Sequence, residues 1–332
     1  MADRPITSEQ ITRTASLFER SQVLLLANDA GIFDLLRKPV SVEAIATDKG
    51  WDTRGTGLFL DTLVALGYVD RKADRYENTA ITTRHLCCDS PEPLTAFLRH
   101  TGHCKRRWDR LEESLQSGHG IRVGHHIAGT AEFIDYVDAM EELGNLTVGE
   151  VLEAVDFSGY RSMLDLGCGA GQCTRAFLGA NPVLAATLFD LQSVLDVTEA
   201  RIASTQLADR CTFLSGDCVS DAMGDGYDLI WVSNLFHGLS AVESAQVFRK
   251  CFDALEPGGT LMVKDFIVDE DRQGPAFSLL FGLHMFLHTG GGNTYSVDEF
   301  EAWAGDAGFG KPALKTLGRS ARLFTVMKPE SA

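Results

Sequence analysis

The spacing of hydrophobic positions in the first third of the chain predicts a small helical domain. Residues 8–36 carry apolar residues at helical spacing, and 41–48 and 53–66 predict two short helices. Residues 68–78 then predict two strands joined by a turn. Two helices followed by a β-hairpin are typical of a winged-helix domain. We assign this domain to residues 1–100.

Residues 101–150 predict a helical linker, and the pattern changes from residue 151. Apolar runs there alternate with amphipathic stretches to the end of the chain. Such alternation predicts the α/β class, with a Rossmann-like, doubly wound and mainly parallel sheet over residues 151–332. The expected strands are 162–166, 184–190, 211–215, 227–233, 259–268 and 321–327.

Composition narrows the function classes. The 332 residues carry a formal net charge of −16, which disfavours a nucleic-acid partner because binding to phosphates needs a basic face. The second predicted helix, 53–66, has Arg54 as its only basic residue, unlike a DNA-recognition helix. We expect no signal peptide, because the first residues lack an apolar segment, and no apolar run is long enough to span a membrane. Eight irregularly spaced cysteines predict reduced thiols in a cytoplasmic protein.

A glycine-rich segment directly follows the first strand of the predicted sheet. Residues 163–171 read Met-Leu-Asp-Leu-Gly-Cys-Gly-Ala-Gly, and glycine there allows a tight turn and a close approach of backbone N–H groups to a ligand. This loop alone fits a nicotinamide cofactor equally well. Asp190 ends the second strand, Asp217 follows the third, and a Glu-Pro-Gly-Gly segment begins at Glu256.

This ordered set resembles the class I S-adenosylmethionine (SAM)-dependent methyltransferases. Together with the winged-helix half, it resembles their small-molecule O-methyltransferase family, from about residue 12 to 328. The resemblance implies SAM as cofactor, a small-molecule substrate, and a homodimer formed by the N-terminal domain. The cofactor contacts that it implies are Asp165, Gly167, Gly169, Asp190, Leu191, Gly216, Asp217, Cys218 and Ser233.

The same resemblance implies a catalytic histidine after the fourth strand. His237 lies at that position and would act as a general base. Asp265 matches one of two carboxylates that orient this histidine in the family. Thr294 lies where the family has a glutamate as the second. The departure favours a reaction other than simple O-methylation.

Two further histidines suggest metal chemistry. His284 and His288 are four residues apart and so share one face of a predicted helix. By resemblance this segment faces His237, and we expect His237 and His288 to bind a divalent or ferric ion (iron, zinc, cobalt or nickel), with His284 in reserve. A metal-dependent subset of the family methylates α-keto acids at carbon. We therefore favour metal-assisted C-methylation at C3 of a 2-oxo acid.

Substrate contacts are expected from Arg122, which would pair with a carboxylate, and from Tyr136, Met140 and Tyr295. The carboxylates within 133–142 would suit a cationic tail, such as the guanidinium of 5-guanidino-2-oxopentanoate. Phenylpyruvate and branched aliphatic 2-oxo acids remain alternatives.

Two other functions stay open. One is a metal-free O-methyltransferase acting on a phenolic or hydroxylated natural product, with His237 as general base. The other is a SAM-sensing regulator that binds DNA through the winged helix.

Overall fold

The computed structural model describes residues 6–121, 129–318 and 321–330. It divides into two compact units, one ending at Cys104 and one beginning at Lys105. No helix within the described residues is both long enough and apolar enough to cross a bilayer. All eight cysteines carry free thiols.

The N-terminal unit contains helices and a small antiparallel sheet. The helices are α1 (Ser8–Asp29), α2 (Ile32–Leu35), α3 (Val42–Lys49), α4 (Thr53–Ala65), α5 (Ala80–Leu86) and the start of α6 (Thr95–Trp108). The strands β1 (Val40–Ser41), β2 (Val69–Lys72) and β3 (Arg75–Asn78) lie in the order β1-β3-β2. This is the predicted helix-turn-helix and hairpin. Ser41 caps the N-terminus of α3, since its hydroxyl accepts from the amide of Ala44.

The first helix exposes an apolar stripe. Ile11, Phe18 and Leu17 of α1 are between 50% and 62% exposed, although the core of the same unit is closed around Phe33, Leu60 and other buried side chains. Several large apolar side chains exposed on one helix are typical of a protein interface. It matches the homodimer that the family resemblance implies.

The second unit begins with helices α7 (Leu111–Ser117) and α8 (Ala131–Ala154), followed by a seven-stranded sheet. Its strands are β4 (Ser162–Leu166), β5 (Ala185–Asp190), β6 (Cys211–Ser215), β7 (Tyr227–Ser233), β8 (Leu255–Asp265), β9 (Ala313–Leu317) and β10 (Ala321–Met327). Helices α9 (Gln172–Ala180), α10 (Gln192–Ala203), α11 (Ala241–Ala254), α12 (Ala276–His288) and α13 (Val297–Ala307) complete it.

The strand order is β6-β5-β4-β7-β8-β10-β9, and the first five of these are parallel. This confirms the predicted doubly wound, mainly parallel sheet. Strand β7 shows why its sequence is continuously apolar. Leu229 and Trp231 are buried on one face against α9, while Ile230 and Val232 are buried on the other against α11 and α13.

Two features of the sheet differ from the sequence prediction. Strand β9 was not expected, because four of its five residues are exposed and it lies at the sheet edge, where no apolar pattern is required. Strand β8 begins at Leu255 rather than 259, since the register shifts between Tyr227 and Leu229 of β7 and accommodates the Pro-Gly-Gly segment.

Replacing Phe18 by aspartate should convert a dimer to a monomer, because a carboxylate would be buried in the apolar interface. Light scattering coupled to gel filtration would report the mass in solution. Ser16→Asp is the matched control, since Ser16 is exposed on the opposite side of the same helix. A Phe18→Asp protein that keeps twice the mass of the chain would contradict this interface.

Candidate cofactor and active site

The glycine loop between β4 and α9 has a tightly folded backbone. Gly167, Gly169 and Gly171 all adopt positive φ, between 52° and 74°, a region in which only glycine is free of strain. A side chain at Gly167 would also contact Leu235, and one at Gly171 would contact Thr198. The backbone conformation at all three positions, and the packing at Gly167 and Gly171, therefore favour glycine.

The amides of this loop are used within the protein. Those of Gly167 and Cys168 donate to the carbonyl of Phe189 at 2.8 and 3.2 Å. The amide of Gly169 donates to Asp190 Oδ2 at 2.9 Å, and that of Gly171 to the carbonyl of Cys168 at 2.9 Å. These amides are not the ligand donors that the sequence analysis expected. A loop in which these four donors are paired within the protein suits a cationic ligand better than the pyrophosphate of a dinucleotide.

The expected cofactor carboxylates line one edge of the sheet. Asp165, Asp190 and Asp217 lie in β4, at the end of β5 and just after β6, which are neighbouring parallel strands. Ligands bind at this carboxyl edge in doubly wound sheets. Asp190 also accepts from the amide of Leu191 at 2.8 Å, and burial raises its pKa. Leu191 is 53% exposed beside it.

A turn that begins at Gly216 follows strand β6. Asp217 is exposed, and its Oδ1 accepts from the amide of Val219 at 2.8 Å. At Gly216 a Cβ would lie 2.8 Å from the ring of Phe189, so the turn requires glycine. Cys218 is placed differently from the expectation, because its side chain packs against the hydrophobic core and its carbonyl accepts from Lys250. Ser233 ends β7 and is half-buried.

Asp165 is the most buried of these carboxyls. It is 2% exposed and accepts from the hydroxyl of Thr174 at 2.5 Å. Burial, with a smaller contribution from the nearby Asp190, raises its pKa to about 7, although the hydrogen bond from Thr174 lowers it. A carboxylate held at such a position is stabilised when a cation is placed beside it.

His237 is presented by a short turn after β7. Asn234 adopts a positive φ of 57° and redirects the chain into the 3-10 turn Phe236–Gly238. Phe236 is fully buried against Phe248 and anchors the turn. His237 Nδ1 lies 2.7 Å from Asp265 Oδ1, and its amide lies 3.3 Å from Asp265 Oδ2. Because Nδ1–H donates to the carboxylate, the neutral ring carries its lone pair on Nε2.

Thr294 has a structural role in place of the missing glutamate. It is 1% exposed, and its hydroxyl donates to the carbonyl of Ser278 at 3.0 Å. A Cβ at Gly282 of α12 would lie 2.7 Å from this hydroxyl. Thr294 thus takes part in a close contact between α12 and the loop that follows it. Asp265 contacts His237 at both the ring Nδ1 and the backbone amide, so the absent glutamate is no argument against proton transfer.

The histidines of α12 are stacked on each other. The ring centroids of His284 and His288 are 3.9 Å apart, and His288 Nδ1 lies 2.6 Å from the carbonyl of His284. His284 Nδ1 accepts from the indole of Trp108 at 3.1 Å. Phe281 lies against both His237 and His284, with centroids 4.8 and 5.6 Å away. Among the described residues, His237 belongs to no cluster of three metal-binding donors.

The remaining substrate candidates are scattered. Arg122 lies outside the described residues. Tyr136 and Met140 are half-buried on α8, and Tyr136 packs against a cluster that includes Ala170 of the glycine loop. Tyr295 is 4% exposed in the core, and its hydroxyl donates to the carbonyl of Leu239 at 2.6 Å. The structure therefore assigns Tyr295 to packing and not to substrate.

Two carboxylates on the acidic face of α8 already form ion pairs within the protein. Asp138 pairs with Arg201, and Glu141 pairs with both Arg175 and Arg201. The predicted use of these carboxylates for a guanidinium tail is wrong because their partners come from α9 and α10.

Aromatic side chains beside His237 were missed from the sequence. Phe266 stacks at 6.1 Å from the His237 ring, and Phe281 lies edge-on to it. Phe277 completes the set through contacts with both. The i, i+4 spacing of Phe277 and Phe281 was visible, but such a stripe more often indicates ordinary core packing.

The buried carboxyl of Asp165 should make stability depend on pH. Its unfolded pKa is about 4, so the folded protein holds an extra proton between pH 4 and 7, and the free energy of unfolding falls as pH rises through that range. Asp165→Asn removes this component. In urea titrations without ligand, we compare the free energy of unfolding of Asp165→Asn with that of the natural protein. The difference, variant minus natural, should increase by roughly 2–4 kcal/mol from about pH 5 to pH 8.

Asp253→Asn, at an exposed site on α11, serves as control and should leave the pH profile unchanged in shape. Parallel profiles for Asp165→Asn and the natural protein would contradict the assignment.

Two family models match the chain. One describes an O-methyltransferase domain and matches residues 109–310. The other describes an O-methyltransferase dimerisation domain and matches residues 12–87, the unit that exposes the apolar stripe of α1. This match supports a homodimer.

Similar proteins cover nearly the whole chain. The tetracenomycin polyketide synthesis 8-O-methyl transferase of Streptomyces glaucescens is 31% identical over 90% of both chains. The 3-hydroxy-5-methyl-1-naphthoate 3-O-methyltransferase of Streptomyces sahachiroi is 26% identical over 90% of this chain and 88% of its own. The crystal structure of human N-acetylserotonin methyltransferase in complex with SAM matches with a TM-score of 0.86, at 25% identity and 99% coverage of both chains.

These relatives overturn the favoured reaction. C-methylation of an α-keto acid is wrong as the main prediction, because the relatives that match over nine-tenths of the chain are O-methyltransferases. They likewise give no support to the expected metal ion or to the metal-dependent subset of the family.

The family assignment rests on the length of these matches. One family model spans most of the second unit and the other most of the first, and the fold agrees with that of a SAM-bound methyltransferase. This chain is therefore a SAM-dependent methyltransferase and belongs to the O-methyltransferase family that carries an N-terminal dimerisation domain.

Proposed function

We propose that this enzyme methylates the hydroxyl group of an aromatic small molecule, with His237 as the general base. The observation that carries the proposal is the short hydrogen bond between His237 Nδ1 and the buried carboxylate of Asp265. It fixes the tautomer in which Nε2 can accept a proton.

Asp265 is well placed to hold this orientation. Its Oδ1 also accepts from the amide of Phe266 at 2.8 Å, and its Oδ2 lies near the amide of His237. The carboxylate is therefore fixed by the backbone on both sides of the contact. It would stabilise the imidazolium that forms when Nε2 takes the hydroxyl proton, as an oriented carboxylate does beside other catalytic histidines.

The acidity of the substrate agrees with this arrangement. A phenolic hydroxyl has a pKa near 10, so a positioned histidine can assist its deprotonation as the oxygen attacks. A C–H bond next to a keto group is far less acidic and would need further stabilisation of the enolate. The reaction that His237 and Asp265 can support by themselves is thus O-methylation.

The cofactor residues also fit SAM. Asp190 would accept the ribose hydroxyls, Asp217 would accept from the adenine, and the glycine loop with Asp165 would lie beside the methionine part. When bound, SAM supplies a methyl group on a positively charged sulfur. The occupied loop amides and the buried carboxyl of Asp165 favour a cation of this kind over a pyrophosphate.

An aromatic substrate is favoured by the side chains around the base. Phe266, Phe281 and Phe277 surround His237 on one side with centroids 4.7–6.1 Å from their neighbours. Faces and edges of this kind bind planar rings through stacking. Two relatives act, by name, on a polyketide and on a naphthoate, which supports a fused aromatic substrate for this chain.

Removing the base should lower turnover without weakening cofactor binding. With a hydroxynaphthoate as acceptor, we expect His237→Ala and Asp265→Asn to reduce kcat by about 10²–10⁴-fold. The dissociation constant of S-adenosylhomocysteine (SAH), measured by calorimetry, should stay within twofold. Activity of His237→Ala near that of the natural enzyme would rule out the proposed base.

A chelation experiment separates this reaction from the metal-assisted alternative. Exhaustive dialysis against a strong chelator should leave the methylation rate unchanged, because neither the base nor its carboxylate depends on an ion. A rate that disappears with the metal and returns when it is restored would contradict the proposal.

Truncating the aromatic side chain nearest to His237 should weaken substrate binding. Phe281→Leu removes a ring that can stack on the substrate, a contact worth about 1 kcal/mol, so KM for the hydroxynaphthoate should rise roughly fivefold. Phe252→Leu is the matched control, because Phe252 is also partly buried but packs against Phe309 in a different part of the core. An equal effect of both substitutions would show that Phe281 acts through general stability only.

A further inference from the structure

We propose that Glu141 of α8 is a positioning residue for the cofactor, because it links two arginines whose helices hold the glycine loop in shape. The inference rests on the cofactor placement proposed above. It assigns to the acidic face of α8 a role that neither the general base nor the substrate requires.

Two carbonyl groups of the loop are held by neighbouring helices. The hydroxyl of Thr198 in α10 donates to the carbonyl of Gly169 at 2.6 Å. Arg175 Nη1 in α9 donates to the carbonyl of Ala170 at 2.7 Å. The loop conformation therefore depends on where α9 and α10 place these two side chains.

Glu141 joins the same two helices. Its Oε1 accepts from Arg175 Nη2, and its Oε2 accepts from Arg201 Nη1 at 2.5 Å. Arg201 lies one turn after Thr198 on α10, and its other terminal nitrogen pairs with Asp138. One guanidinium, that of Arg175, thus bridges Glu141 and the loop carbonyl, as its planar fork of donors permits.

Apolar packing brings α8 onto the loop. Phe133 and Val137 of α8 form a buried cluster with Ala170 of the loop and Val194 of α10. Gly144 lies one turn beyond Glu141 and close to Gln172. A Cβ at Gly144 would be 2.5 Å from the side-chain Nε2 of Gln172. The ion pairs of Glu141 therefore lie one helical turn from a close contact between α8 and α9.

The ion pairs among Asp138, Glu141, Arg175 and Arg201, here called the α8 network, are partly buried and balanced in charge. The side chains of Glu141, Arg175 and Arg201 are only 21–25% exposed, so solvent screens them less than a surface pair. Two carboxylates balance two guanidinium groups. Without Glu141, an excess positive charge would lie beside a loop that has to receive a cationic cofactor, and Arg175 would lose the contact that aims it at Ala170.

The test is the affinity for SAH of the full-length enzyme with Glu141→Gln. Calorimetry at a temperature well below melting should show roughly a tenfold increase in the dissociation constant, the scale typical of groups that orient binding residues. The number of sites per folded chain should stay unchanged. Glu113→Gln in α7 is the control. It removes an exposed ion pair between Glu113 and Arg110 and should leave the affinity for SAH unaltered.

Arg175→Lys provides a second variant in case Glu141→Gln does not fold. It keeps the charge, but a single ammonium cannot hold Glu141 and the Ala170 carbonyl in the same fork geometry. We expect the affinity for SAH to fall severalfold. Unchanged affinity in the folded variants, even with a lower melting temperature, would overturn the proposal and leave the α8 network with a structural role alone.

Asp190→Ala distinguishes this inference from the function on which it rests. Loss of SAH binding in Asp190→Ala together with unchanged binding in Glu141→Gln would reject only the role of Glu141. Unchanged SAH binding in Asp190→Ala would reject the cofactor site itself.

Discussion

The parallel arrangement of the central strands is the constraint on which the rest of the second unit depends. Since β6, β5, β4, β7 and β8 run in the same direction, their carboxyl ends meet at one edge. Residues more than fifty positions apart in the chain are thereby brought into one row. The carboxylates proposed to bind the cofactor lie toward one end of this row, and the proposed base, His237, with Asp265 lies toward the other.

The proposed general base has fewer orienting carboxylates than the family pattern implies. One buried carboxylate, Asp265, receives the ring Nδ1–H of His237 and lies near its backbone amide, while the following amide holds the carboxylate in place. Thr294 packs against Gly282, so the volume there is occupied by a helix contact. A carboxylate fixed from several directions can orient an imidazole without a second one.

The cofactor loop illustrates how polar groups are matched to ligand charge. Its amides are bonded to Phe189, Asp190 and the loop itself, and its carbonyls are held from α9 and α10. Arg175, which holds one of these carbonyls, pairs with Glu141 of α8. An acidic helix that resembles a substrate site in the sequence is thus part of the support for the loop.

Much of this protein is determined by the sequence itself. Apolar periodicity, helix caps and glycines that require positive φ are local properties, so they predicted the winged-helix unit, the parallel strands and the glycine loop, although the bounds of β8 differ by several residues. The order of Asp190, Asp217 and His237 along the strands also predicted the edge at which they meet. The edge strand β9 was not predicted, because a half-exposed strand has no need of an apolar pattern.

Only the tertiary structure decided which side chains those residues contact. Asp138 and Glu141 pair with arginines of α9 and α10, Tyr295 is in the core, and His284 and His288 stack on each other while Phe281 lies beside His237. Such pairings join positions far apart in the chain, and a charged or aromatic residue has the same local signature whatever its partner. The elements follow from local preferences, whereas the partners depend on how helices pack across the sheet.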